Sequence, residues 1–382
     1  MLTIIAAVLL FLSVWIIVPA PSVWLLPLGV LAPEISPILL ALAVIVILLS
    51  LRKLTTRKVG ILFALIAAGI SAMPLSKLPA VERQFDRELA RAFPSAAKRP
   101  LPENARPQPL VIRDLFLGVS AGDVRVDRAL NFATRGIQRL ALDAYRPTGS
   151  APFPVLVQIH GGEWQRGNRT DNETFARYFA SRGYIVYAIE YRHAPRSSWP
   201  AAFDDVRAAL AWIQAQSTSM GGDPQRLAVV GRSSGAQLAL LAAYSSASPV
   251  AAVVSYYGPS DLTKGWREPP DPDPMSMRSI LEAFLGGTLD AVPERYRDAS
   301  PIAHVSAAGP PTLLIHGARD HVVLPGMSRD LHARLQAVGA RSMLLEIPWA
   351  DHAFDTLPNG LSGQVSLYYT ERFLAAALAR GR

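Results

Sequence analysis

The stretch "VVGRSSGAQLAL" (Val229–Leu240) holds two adjacent serines between glycines. A short β-branched run, "LAVV" (227–230), leads into it, and an alanine- and leucine-rich helical pattern leaves it. G-x-S-x-G between a strand and a helix marks a sharp turn that holds a serine hydroxyl out at the edge of a sheet. Spacing selects the serine. Ser233 has Gly231 and Gly235 two residues to either side, whereas Ser234 has Arg232 and Ala236. Small flanking residues are needed because strand and helix approach closely at such a turn. Ser233 is therefore the expected nucleophile. Ser234 offers its backbone N–H at the helix start, where an anion is favoured. The alternative is a glycine-rich turn whose serine only caps a helix.

Around this turn the chain alternates strands with helices. "DVRVDRALNFA" and "RLALDAYRP" read as two antiparallel strands. Six short apolar runs follow: "PVLVQIH" (154–160), "YIVYAIEY" (184–191), "LAVVG" (227–231), "VAAVVSYY" (250–257), "PTLLIHG" (311–317) and "SMLLEIP" (342–348). Each is nearly continuous in apolar residues, as strands buried on both faces are. Helical patterns cover Asn172–Arg182, Ala201–Gln216, Ser234–Ser246, Met327–Val338 and Gln364–Ala379. The expected fold is an α/β domain over 110–382: a mostly parallel eight-stranded sheet flanked by helices. Loops at the C-terminal ends of such strands carry function.

A serine hydroxyl needs a base, and the base needs an orienting acid. In this strand–turn–helix setting the chain order is serine, acid, histidine. Five histidines lie downstream of Ser233: His304, His316, His321, His332 and His352. His352, in "PWADHAFD" after the last strand, stands where the base belongs. Asp320, in "ARDHVV" after the preceding strand, is the expected acid. Asp351 is its rival, although adjacent side chains in a loop usually point apart. The oxyanion requires N–H donors. "HGGEW" (160–164) follows the strand "PVLVQI" and offers those of Gly161 and Gly162, joined by that of Ser234.

The set "LDAYRP", "HGGEWQRGN", "YRHAPRSSWPAAFDDVRAALAWI", "GRSSGAQ", "YGPSDL", "SPIAHV", "HGARDHVV" and "DHAF" resembles the α/β-hydrolase esterases of the hormone-sensitive-lipase and feruloyl-esterase-like type. The resemblance runs over about 120–380 with the motifs in the same order. It implies the α/β-hydrolase fold, Ser233, Asp320 and His352 as triad, and hydrolysis of carboxylic esters through an acyl-enzyme. It also implies that Asp204 and Asp205 support the fold rather than catalyse. Where many lipase-like members carry a third glycine, Glu163 stands here, followed by Trp164. An acyltransferase using the same acyl-enzyme, or a lipase acting on membrane lipids, is the alternative function. Residues 263–299, between two strands, are long for a connection and read as a cap insertion that selects substrate.

Upstream of this domain the composition changes. Half of the 382 residues are hydrophobic, and uncharged apolar stretches cover about 2–20, 35–51 and 59–75. At 1.5 Å per residue each falls just short of a hydrocarbon core of about 30 Å. They read as about three short transmembrane helices within an N-terminal region 1–79. A signal peptide ending at "VPA" (18–20) and an interfacial third stretch are the alternatives. The loop "RKLTTRK" (52–58) carries four positive charges, which places it on the cytoplasmic side and the domain after 75 outside. Residues 80–109 follow. "VERQFDRELARAF" there has helical spacing of Val81, Phe85, Leu89 and Phe93, as an amphipathic helix packed on the domain would; a helix lying on the lipid surface is the alternative, and "RPLPENARPQP" reads as a linker.

The formal charge of +8 is spread without a basic stripe, so nucleic acid is not an expected partner. The chain has no cysteine, which excludes disulfides, thiolate metal sites and a cysteine nucleophile. No cofactor and no metal is expected. The expected partners are an ester, small-molecule or lipid, and a membrane.

Overall fold

The computed structural model describes residues 1–51, 58–94, 104–246 and 248–379. The basic loop on which the orientation rests, and the start of the Pro-rich linker, lie outside these. Four helices come first: α1 (Leu2–Val14), α2 (Leu26–Glu34), α3 (Ser36–Leu51) and α4 (Lys58–Ala92). A short α5 (Ile112–Leu117) precedes the sheet.

The eight strands are β1 (Arg125–Arg135), β2 (Gln138–Arg146), β3 (Phe153–Ile159), β4 (Ile185–Ile189), β5 (Gly222–Arg232), β6 (Ala252–Tyr256), β7 (Thr312–Gly317) and β8 (Ser342–Ile347). They form one sheet in the order β1-β2-β4-β3-β5-β6-β7-β8. β1 and β2 pair antiparallel, β2 joins β4 antiparallel, and β3 to β8 are parallel to β4. The intervening helices are α6 (Glu173–Ala180), α7 (Ala201–Gln216), α8 (Ser234–Tyr244), α9 (Leu262–Arg267), α10 (Met277–Leu285), α11 (Pro293–Asp298), α12 (Gly326–Ala337) and α13 (Leu361–Ala377). This is the α/β-hydrolase arrangement.

Alternation along the strands divides the core. Val155, Val157 and Ile159 of β3 face one layer of helices, with Val229 of β5 and Leu238 of α8. Leu156 of β3 faces the other, with Val186, Val230, Val254 and the inner face of α13. Successive strand residues point to opposite faces, so a continuous apolar run is what a two-sided core requires.

The apolar N-terminal region differs from three spans. α1 has 13 residues, about 20 Å, and is too short to cross a bilayer alone. α2 and α3 together are apolar enough, but they meet at a bend of 75°. Only α4 is by itself long and apolar enough among the described residues, which makes one candidate span, or two if the bent pair counts as one. α4 also does not stop at Leu75. It passes through Pro74 and Pro79 as one 35-residue helix, and Leu78, Val81 and Phe85 join the core layer that contains α13. Its charged half is therefore an amphipathic helix packed on the domain.

Candidate active site

The turn after β5 shows why its sequence is required. Ser233 has φ 51° and ψ −120°, a region that non-glycine residues rarely occupy and that functional sites retain. A Cβ on Gly231 would overlap the backbone of Gly235, and one on Gly235 would overlap the carbonyl of His160. The turn is pinned by Ser233 N–H donating to Tyr256 O at 2.9 Å.

His352 lies in the loop after β8, with Nε2 3.1 Å from Ser233 Oγ. Its Nδ1 is 2.7 Å from Asp320 Oδ2. Asp320 follows β7, and its Oδ1 accepts from the N–H groups of Val322 and Val323 at 2.9 and 2.8 Å. Burial alone would raise the Asp320 carboxyl pKa. The charge and hydrogen bond of His352 and the hydrogen bond from His316 outweigh it and hold the group well below the usual carboxylate range. For His352, burial would lower the pKa. The charge of Asp320 and its hydrogen bond, then the charges of Asp351 and Glu163, push it above its ordinary value. The rival acid Asp351 goes elsewhere: its Oδ2 is 3.0 Å from His321 Nδ1, and its Oδ1 accepts from His352 N–H.

The loop after β3 brings Gly161 and Gly162 to the same cavity as Ser233 and His352. Among the described residues no hydrogen bond uses the N–H of Gly161 or Gly162. The loop is held from behind. The Tyr191 ring stacks on His160 at 4.3 Å, and its hydroxyl donates to His160 O at 3.1 Å. Burial pushes His160 down to about 4, so it is a neutral structural group at neutral pH. Trp164 donates from Nε1 to Gln237 Oε1 at 2.9 Å and stacks on Phe284 at 4.2 Å. Glu163 turns outward to an ion pair with Arg166.

The cavity is about 610 Å³ and is lined by the loops after β3, β5 and β8 and the start of α6. Residues 263–299 supply none of its lining. They form α9, α10 and α11 and pack on the core beside the site through Leu281, Phe284 and Leu285. Asp205 is buried under Arg192 and Arg135, and Asp204 lies on the helix surface beside Arg207.

Two features escaped the sequence. His316, the sixth residue of "PTLLIHG" (311–317) on β7, places Nε2 3.1 Å from Asp320 Oδ2 and 2.8 Å from Val323 O. A carbonyl only accepts, so Nε2 carries the proton, and Nδ1 accepts from Ser328 at 2.7 Å. Arg232, between Gly231 and Ser233, is buried with Asp355, which also accepts from Tyr257. An arginine in the turn hinted at a buried acid, but its partner lies 123 positions away.

This sheet, with its sharp serine turn after the fifth strand, defines an α/β-hydrolase. The BD-FAE family model matches residues 142–335, and the chain belongs to that family. It is 31% identical to the probable carboxylic ester hydrolase LipM of Mycobacterium tuberculosis, over 82% of this chain and 78% of LipM. It is 36% identical to the esterase LipC of the same organism, over 56% of each chain. Among solved structures, the hyperthermophilic esterase from Pyrobaculum calidifontis matches with a TM-score of 0.59 and 21% identity, covering 79% of this chain and 94% of that one. Esterase LipW from Mycobacterium marinum matches with a TM-score of 0.56 and 23% identity, covering 80% and 90%. The chain is a carboxylic ester hydrolase.

Proposed function

We propose that the protein is a membrane-anchored serine hydrolase that cleaves carboxylic esters through an acyl-enzyme. The observation that carries this is the continuous relay from Ser233 Oγ to His352 to Asp320, with links of 3.1 and 2.7 Å. Ser233 Oγ attacks the ester carbonyl while His352 Nε2 takes its proton. The N–H groups of Gly161, Gly162 and Ser234 receive the oxyanion. His352 then protonates the leaving alkoxide, and a water activated by the same nitrogen releases the acid. Asp320 holds the imidazole in the tautomer that bears its proton on Nδ1.

The anchor is the apolar half of α4, with the bent α2–α3 pair beside it. On this reading the basic stretch 52–58 stays on the cytoplasmic side and the hydrolase stands across the bilayer.

The test is hydrolysis of p-nitrophenyl butyrate by the full chain beside Ser233→Ala. Loss of the nucleophile lowers turnover by about a millionfold, with thermal unfolding unchanged. Residual turnover near the wild-type value would sink the serine mechanism.

A further inference from the structure

We propose that the catalytic edge of the sheet faces the bilayer, that α5 rests in the lipid interface, and that the substrate is an ester held in the membrane. This rests on the serine-hydrolase reading above and adds to it a docking surface and a substrate class.

The orientation follows from how α4 and α13 pair. Phe93 meets Phe373 at 5.8 Å, Phe85 meets Tyr369 at 4.7 Å, and Tyr369 Oη donates to Glu82 O at 3.3 Å. These contacts advance along both segments together, so the two run in the same direction. Followed backwards, α4 leads from Phe93 past Glu82 into its uncharged half, and α13 leads to its N-terminus. That N-terminus lies at the lipid end of the domain. Independently, the N–H groups of Ser362 and Gly363 donate to Glu34 Oε2, at 2.7 and 3.1 Å, at the end of α2.

The active-site loop leads straight into the same N-terminus. His352, Ala353, Thr356 and Pro358 line the cavity, and α13 begins at Leu361. α2 passes beneath this loop: a Cβ on Gly29 would stand 3.2 Å from Asp351 Oδ2. Because α2 is bent 75° from α3, it lies across the catalytic edge while α3 turns away into the apolar bundle. The loop that carries His352 thus sits on a helix of the apolar N-terminal region, and Arg319, beside Asp320, donates to Ile17 O between α1 and α2.

α5 borders the same rim. Asn359, next to Pro358, donates from Nδ2 to Leu115 O at 3.1 Å, and Val111 N–H donates to Gln364 at 2.8 Å. Leu115 points inward, whereas Ile112, Phe116 and Leu117 are 57, 67 and 71% exposed. Three large apolar side chains on one short helix, tied to the lipid end of α13, match a lipid interface and leave water an unfavourable neighbour. Trp24, 88% exposed in the turn before α2, is a residue type that gathers at membrane interfaces. The cavity itself is lined by charged groups, Glu163, Arg166, Asp171, Glu173 and Arg232. They suit the polar part of an amphiphilic ester whose acyl chain remains in lipid.

The experiment uses the full chain in phosphatidylcholine nanodiscs. The chain has no cysteine, so Leu117→Cys and Ser219→Cys each take one environment-sensitive NBD label. Ser219 is exposed in the loop feeding the N-terminal end of β5, on the opposite edge. The label at 117 should shift blue and be quenched by nitroxide lipids, and the label at 219 should do neither. A label at 117 as wet as that at 219 overturns the docking, and so does one shielded from water yet untouched by nitroxide lipid, which would mark contact with a second copy. The triple variant Ile112→Ser/Phe116→Ser/Leu117→Ser should keep p-nitrophenyl butyrate hydrolysis. It should lose on the order of tenfold on 4-methylumbelliferyl oleate dissolved in the bilayer. Equal loss on both esters, or on neither, overturns the substrate class. Hydrolysis of neither ester by the folded wild type overturns the serine reading instead, while the label still decides the docking.

Discussion

Ser233 occupies a backbone region that only its surroundings can hold, and the two glycines beside it are what those surroundings demand. Gly235→Ala should therefore abolish activity and lower stability, because the new methyl meets the His160 carbonyl. Thermal unfolding together with the butyrate assay checks this; a variant as stable and active as wild type would refute it. As the base of the proposed mechanism, His352 governs the pH response. With its pKa above the ordinary histidine value, imidazolium forms at a higher pH than in a free histidine, and imidazolium cannot accept the serine proton. The acidic limb of kcat/KM should thus fall above about 6.5. Asp320 stays ionised throughout that range, so the limb is a single protonation. A limb at or below pH 6 would break this assignment. That Ser233, Asp320 and His352 come together was legible, because their chain order and their places after strands are set by the fold. His316 was not. It sits inside a strand, where a polar residue usually satisfies the core, and only the turn between 317 and 320 folds its ring onto Asp320. His316→Asn should lower kcat while leaving KM unchanged. A hydrogen bond to a charged group contributes about 1.5–3 kcal/mol, which is on the order of ten- to a hundredfold in rate.

At the scale of elements, all six parallel strands could be read from apolar runs, because a strand buried on both faces has no polar face to confuse. α4 could not be read whole. Pro74 and Pro79, and the onset of charge at Lys77, look like an end, yet they mark a change of surroundings and not of backbone. Apolar residues on every side suit lipid, whereas the spacing of Val81 and Phe85 suits one protein face. The insertion 263–299 was visible as a long connection. Its place beside the cavity was not, because that depends on Phe284 stacking against Trp164. The charged half of α4 is what joins the apolar N-terminal region to the sheet. Phe85 is fully buried against Tyr369, and Phe85→Ala should cost about 3–5 kcal/mol. A chain with ordinary stability of about 5–15 kcal/mol would then show a large fall in its unfolding temperature in nanodiscs. A negligible change would mean that α4 is only tethered to the sheet.

Over the whole molecule, the apolar N-terminal region meets the hydrolase at several places: α4 on β8 and α13, Ile17 O under Arg319, and α2 at the start of α13. α4 packs on β8 and reaches α13 through Phe85, and Phe93 just beyond it meets Phe373; these apolar contacts fix orientation. The α2 contact includes the buried hydrogen bonds of Glu34, and it lies beside the loop that presents His352. Glu34 is wholly buried and accepts from two N–H groups at the start of α13. A helix start leaves such donors unpaired unless something outside the helix receives them. Here the receiver comes from 328 positions upstream. Glu34→Ala removes it and strands two buried donors, at about 1–3 kcal/mol each. The disturbance would pass into residues 353–360, which lead into this helix start, and so would reach His352. The expected outcome is a lower kcat on p-nitrophenyl butyrate, with a smaller loss of global stability than Phe85→Ala causes. Glu34→Gln retains an acceptor oxygen of the same reach and should recover most of the activity. If the alanine variant matched wild type in kcat, the membrane region would hold the enzyme in place without shaping its site; if glutamine failed as alanine did, something other than the two accepted hydrogen bonds would be at work at this position.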